Sequence, residues 1–235
     1  MARLLGVCGT GNDPRKEPPQ VIQVKWQAAL MRGVEQAGGS PAYVEDLVCV
    51  TYADLLETSA PATPTTSPTS SPSPCGTARM VRFLSEVHAY VANLDVRHRV
   101  RERIATQIGP DTHIIVGHSL GAATAYEALA LLPHHNVHTL ITLGSPLGYH
   151  RYLLRPSLMP NDQHRYPWPP GLQRWINLYD RKDPFVVRKR LKPLFGDGHQ
   201  VEDYPVRNGL ALHAAGAYLS TFATGCAIVA QSALL

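Results

Sequence analysis

Gly117-His118-Ser119-Leu120-Gly121 sets a serine between two glycines, one two residues before it and one two residues after. The apolar run His113-Ile114-Ile115-Val116 precedes it, and the helix-forming stretch Ala122–Leu129 follows. A G-x-S-x-G between a strand and a helix is a turn that exposes the serine hydroxyl at the top of a sheet. The glycines relieve the crowding of so tight a turn. The chemistry this suits is nucleophilic attack on an acyl carbon. A serine hydroxyl attacks only when a base takes its proton and an acid orients that base.

Downstream acids and histidines are the candidates, in the chain order Ser, Asp or Glu, His. Asp183 lies in Asn177-Leu178-Tyr179-Asp180-Arg181-Lys182-Asp183-Pro184, just past the second strand expected after the serine. The Asp-Pro step suits a sharp turn outside a strand end. Asp180 is the rival acid. His213, in Asn208-Gly209-Leu210-Ala211-Leu212-His213, follows the last expected strand and is the candidate base. The chain has 11 histidines, so a histidine alone means little. His199 is the serious rival; His118, inside the turn, reads as packed below it. An oxyanion hole needs two backbone N–H groups. Leu120, next to the serine, supplies one, and Thr10 in Gly9-Thr10-Gly11-Asn12 is the candidate for the other. That glycine-rich loop is neither a P-loop nor a dinucleotide fingerprint, because no Gly-Lys-Ser/Thr and no third glycine follow.

The elements that must position these groups alternate. Strands are expected at Leu4–Cys8, Leu47–Tyr52, Thr112–Val116, Val137–Leu143, Gln173–Tyr179 and Gln200–Tyr204. Helices are expected at Val21–Ala37, with Val21, Val24, Ala28, Leu30, Met31 and Val34 as its apolar face, Arg79–Ile108 with a break near Asn93, Leu120–Leu132, and Leu212–Ala223 as the closing element. The alternation implies an α/β fold: a mostly parallel sheet of about six strands with helices on both faces, and a ligand site beyond the carboxyl ends of the strands. Two segments interrupt the pattern. Ser59–Pro74 is almost wholly Ser, Thr, Pro and Ala, and reads as a disordered insertion over residues 59–76. Residues 147–171, rich in Pro, Arg, Tyr and Trp, read as a lid.

At 235 residues, 44% apolar and 17% charged, the chain is a single globular domain, 1–235. A net charge of +4 is too mild for a nucleic-acid-binding face. No stretch reaches the length of a membrane span. The four cysteines show no zinc pattern or dense disulfide framework, and Cys8 and Cys49 read as buried free thiols. A cytoplasmic setting is the default.

The chain resembles the α/β-hydrolase superfamily, within it the small lipase-, esterase- and thioesterase-like members. The residues that carry the likeness are Gly117–Gly121, Thr142-Leu143-Gly144-Ser145-Pro146, Asn177–Pro184, and His213 with Tyr218-Leu219. The likeness spans nearly the whole chain as architecture but only these patches as sequence. It implies a triad of Ser119, Asp183 and His213, with Leu120 and Thr10 as oxyanion donors and no metal or organic cofactor. Many relatives have His-Gly after the first strand, where this chain has Cys8-Gly9.

The expected reaction is hydrolysis of an ester or related acyl bond of a small molecule. An alcohol or amine acceptor would make the chain an acyltransferase or cyclase instead. A binding module on the same fold would need no activated serine. Arg151, Arg155 and Arg165 beside Tyr149, Tyr152, Tyr166 and Trp168 suit a polar, aromatic or anionic substrate. Arg181, Lys182, Arg188, Lys189, Arg190 and Lys192 form a basic cluster near the acid loop. It suits an anionic substrate or carrier protein, or merely faces water.

Overall fold

The computed structural model describes residues 3–9, 17–57, 75–155, 157–197 and 200–232. Thr10, His199 and residues 59–74 of the stretch expected to be disordered lie outside the described residues; the last two of that stretch, Cys75 and Gly76, instead open a helix. Six strands form one parallel sheet: β1 (Arg3–Val7), β2 (Val48–Val50), β3 (Thr112–His118), β4 (Thr139–Leu143), β5 (Arg174–Asp180) and β6 (Val201–Val206). Their spatial order is β2-β1-β3-β4-β5-β6, all pairs parallel. The order reverses at β1, which lies between β2 and β3, and a switch point of this kind opens a crevice at the strands' carboxyl ends. The loop after β1 and the turn after β3 meet there.

The central strands are apolar on both sides because both faces are covered. Leu5, Val7, Ile115, Leu140 and Trp175 pack against α3 (Cys75–Ala92), α4 (Leu94–Ala105) and α5 (Leu120–Leu131). Leu4, Ile114, Val116, Ile141, Leu143, Ile176 and Leu178 pack against α1 (Pro19–Gln36), α7 (Ala215–Leu219) and α8 (Phe222–Ser232). Two short helices complete the set, α2 (Ala53–Glu57) and α6 (His150–Leu153).

Local chemistry sets the ends. The break expected near Asn93 is a helix start. The Asn93 carboxamide oxygen accepts from Asp95 N and Val96 N at 3.1 Å each, an N-cap that separates α4 from α3. Helix α1 opens on Pro19 and closes on Gly38, whose φ of +73° only glycine adopts readily. Its buried face is Ile22, Trp26, Ala29, Leu30, Gly33 and Val34, whereas Val21 and Val24, expected to be apolar anchors, are exposed. Trp26, with its larger apolar surface, turns the helix onto its own stripe.

The expected closing helix Leu212–Ala223 is a correction. That stretch is a 3₁₀ turn at Gly209–Ala211, then α7. The longer α8 follows. Thr221 divides the last two: its Oγ1 accepts from Thr224 N at 3.2 Å, capping α8. Helices α8 and α1 touch backbone to backbone. A Cβ on Gly225 would fall on the carbonyl of Gly33, so the pair approaches only as glycines.

Beneath α5 lies a buried ion pair. Glu127, fully buried, accepts from Arg97 Nε and Nη2, each at 2.7 Å. It also accepts from Arg101 Nη1 at 2.7 Å and Tyr90 Oη at 2.8 Å. Arg97 donates in turn to the Leu153 carbonyl and Arg101 to Ser157 Oγ. Tyr126 Oη donates to the Pro167 carbonyl at 2.8 Å. Residues 147–171 are thus anchored at several points, with Leu147, Leu153, Leu154, Leu158 and Tyr166 buried. Among the described residues, no helix is long and apolar enough to cross a membrane.

Glu127→Gln removes the counter-charge of a buried guanidinium. Breaking a buried pair from one side costs about 3–5 kcal/mol, and that loss is expected in denaturant unfolding. An unfolding midpoint equal to the wild type's would show that Arg97 escapes to water at no cost.

Candidate active site

Ser119 begins α5 at φ 56° and ψ −131°, a backbone state a serine rarely takes. Neighbours on both sides enforce it. A Cβ on Gly117 would meet Ala122 Cα at 2.7 Å, and one on Gly121 would press on the Val7 and Cys8 backbone. A Cβ on Gly9 would meet Ser119 Cβ at 2.7 Å. These three glycines let strand, turn and helix converge on one point. Leu120 is the first residue of α5, and the first N–H groups of a helix have no partner inside it.

Ser119, Asp183 and His213 come together. Ser119 Oγ lies 2.8 Å from His213 Nε2, and His213 Nδ1 lies 2.7 Å from Asp183 Oδ2. A carboxylate only accepts, so the proton sits on Nδ1 and the bare Nε2 accepts from the serine. Ser119 is 1% exposed, the Asp183 side chain is fully buried, and the His213 side chain is 15% exposed.

Asp180 faces elsewhere. Its Oδ1 accepts from Lys182 N at 2.7 Å and its Oδ2 from Asn208 N at 2.6 Å. Asn208 Nδ2 donates to the Leu212 carbonyl, directly before His213. Asp180 therefore ties the acid loop to the histidine loop. Lys189, one of the basic cluster, points inward: its Nζ donates to the Asp183 and Val186 carbonyls. Arg181, Lys182, Arg188, Arg190 and Lys192 are exposed.

Four residues at the site carried no role in the sequence reading. Phe185 stacks on the His213 ring at 4.2 Å and 25°, and Phe83 meets Phe185 edge-on at 5.0 Å. Tyr218 Oη donates to Asp183 Oδ2 at 2.8 Å. Gly144, at φ +55°, makes room for that contact, since a Cβ there would meet Tyr218 Cε2 at 2.9 Å and Asp183 Oδ2 at 3.2 Å. The Asp-x-Phe spacing signals Phe185 only weakly. Nothing in the spacing of Gly144 or Tyr218 signals their contact with an acid on another loop.

His118 is buried, but beside His213 rather than below the turn. Its ring centroid is 4.9 Å from that of His213, and its Nε2 donates to the His213 carbonyl at 3.0 Å. Burial first, and then the charge His213 can carry, holds the His118 imidazole well below its ordinary range, so it stays neutral. An unfolded histidine takes up a proton below about pH 6.5, and folded His118 does not. Its burial therefore costs nothing above that pH, and stability falls as the pH drops below it. His118→Gln, which keeps a donor but cannot titrate, is expected to flatten the acid side of the stability profile by up to about 1.4 kcal/mol per pH unit below 6.5. Unfolding free energies at pH 7.5 and 5.5 measure this. Equal losses in both proteins would show that His118 titrates normally.

A family profile described as "Alpha/beta hydrolase family" matches residues 23–231. No curated protein sequence matches significantly. Among solved structures, the chain is similar to the esterase domain of a Rhodothermus marinus protein, with 14% identity, a TM-score of 0.43, and coverage of 98% of this chain and 85% of that one. It is also similar to a variant of SOBER1 from Arabidopsis thaliana, with 15% identity, a TM-score of 0.39 and full coverage of both chains. With the profile spanning most of its length and the parallel sheet underneath, the chain belongs to the alpha/beta hydrolase family.

Proposed function

We propose that this chain is a serine hydrolase that cleaves an ester or related acyl bond of a small molecule through an acyl-enzyme. The observation that carries the reading is the unbroken hydrogen-bonded line from Ser119 Oγ through His213 to Asp183. Ser119 attacks the acyl carbon as His213 Nε2 takes its proton. Asp183 holds the imidazole and stabilises its charged form without itself taking the proton. The N–H of Leu120 and that of Thr10, three residues after β1 in the sequence, receive the oxyanion. His213 then protonates the leaving group, and water, activated by the same base, releases the acid.

Burial of Asp183 and the stacking of Phe185 on His213 support this reading. Both limit the motion of the base and exclude water from the acid. Residues 147–171 are proposed as a cover over the substrate. The exposed Tyr149 and Tyr152 are their contribution at the α3 side, where Tyr152 Oη lies 3.1 Å from His88 Nδ1. The exposed cations beside the acid loop support an anionic group on the substrate or on a carrier. The free thiols of Cys8, Cys49 and Cys226 support a reducing, cytoplasmic setting.

Treatment with a fluorophosphonate followed by mass spectrometry tests the nucleophile. One adduct on Ser119 is expected, absent in Ser119→Ala; a folded wild type without any adduct would sink the reading. Asp183→Asn is expected to slow turnover of an activated ester by about 10³–10⁴-fold, because an amide donor forces the wrong imidazole tautomer. Asp180→Asn keeps one acceptor for the loop amides, and its loss is expected to stay within about tenfold. The opposite ranking would move the acid to Asp180.

A further inference from the structure

We infer that Tyr218 is a positioning residue of the same reaction: its hydroxyl donates to the Asp183 carboxylate and sets how strongly Asp183 holds the charged His213. The inference rests on the triad reading above.

Asp183 is a buried carboxylate in contact with no lysine or arginine side chain among the described contacts. Its charge is met by donors instead. Oδ1 accepts from Phe185 N at 2.9 Å. Oδ2 accepts from both His213 Nδ1 at 2.7 Å and Tyr218 Oη at 2.8 Å. Two donors fill the two lone pairs of Oδ2. The tyrosine and the imidazole therefore draw on the same negative charge.

The direction of the tyrosine proton is fixed. Asp180 N, at the end of β5, donates to Tyr218 Oη at 2.9 Å, so the hydroxyl accepts there and its own proton goes to Asp183. Tyr218 is fully buried. Burial and the Asp183 charge both push the phenol up from its ordinary range, so it stays a donor throughout the working pH range. The close approach depends on the absent side chain of Gly144. Tyr218 lies five positions after His213, and one short stretch of chain carries both the base and the donor that competes with it for the acid.

The ionisable groups around the imidazole and its acid are Asp183, Asp180, His118, Tyr218 and Lys189, whose Nζ donates to the Asp183 backbone carbonyl. His118 and Tyr218 keep their neutral forms and Asp180 faces the loop amides, so the acid limb of the reaction reports His213 held by Asp183. Removing the phenol proton leaves more charge on Oδ2, which grips the imidazolium proton harder. The acid limb must then move to higher pH. A side chain that only fills space has no such effect.

The rate of Ser119 labelling by a fluorophosphonate, followed from pH 5 to 9, tests this with Tyr218→Phe. The acid limb is expected to rise by about half a pH unit, and labelling on that limb to slow about threefold. A folded Tyr218→Phe that labels at the wild-type rate with an unmoved limb overturns the inference. Should that variant not fold, wild-type chain made with 3-fluorotyrosine replaces it. The more acidic phenol donates more strongly, and the limb is expected to move the other way, to lower pH; an unmoved limb overturns the inference. A folded wild type that does not label at Ser119 overturns the triad reading and this inference together, an outcome distinct from normal labelling that ignores Tyr218.

Discussion

Ser119 at φ 56° is the constraint on which the rest depends. A strained backbone persists only where its surroundings over-determine it. Here the surroundings are the end of β1, the start of α5 and three glycines without which those backbones would collide. Helix α5 must be almost wholly buried to hold that end still, and Leu120 through Leu129 are all buried. This burial in turn demands the Glu127 cluster, since a carboxylate inside a buried helix needs charge-assisted partners.

The acid is solved differently from Glu127. Glu127 meets two guanidinium groups; Asp183 meets an amide, a phenol and an imidazole. A permanent cation on the Asp183 carboxylate would satisfy its charge fully and leave little for the imidazolium; Lys189 reaches only the backbone carbonyl. Neutral donors stabilise the carboxylate while leaving it available to a charge that comes and goes. Two buried carboxylates in one chain thus take different partners, guanidinium groups at Glu127 and neutral donors at Asp183.

The parts legible in the sequence were those written in local spacing. The turn around Ser119 follows from five consecutive residues, and the strand and helix beside it follow from their apolar runs. Chain order then singled out Asp183 over Asp180 and His213 over the other histidines; in the structure His213 meets Ser119 and Asp183 meets His213. The break at Asn93 was legible as well, because a cap is a local signal. Tyr218, Phe185 and Gly144 were not, since each matters through a contact between loops far apart in the chain. The face of α1 was misread because Trp26 outweighs two valines in buried area. The C-terminal helices were misread because an alanine-rich run has helical propensity throughout, and only the Thr221 cap divides it.

The contact of Gly33 with Gly225 has a consequence for how the chain is made. Helix α1 emerges from the ribosome early, yet the helix that covers it is not synthesised until residues 222–232. Throughout the interval the Gly33 face of α1 lacks its partner. Contacts of such long sequence separation close slowly. The fold is therefore completed only when its final helix arrives.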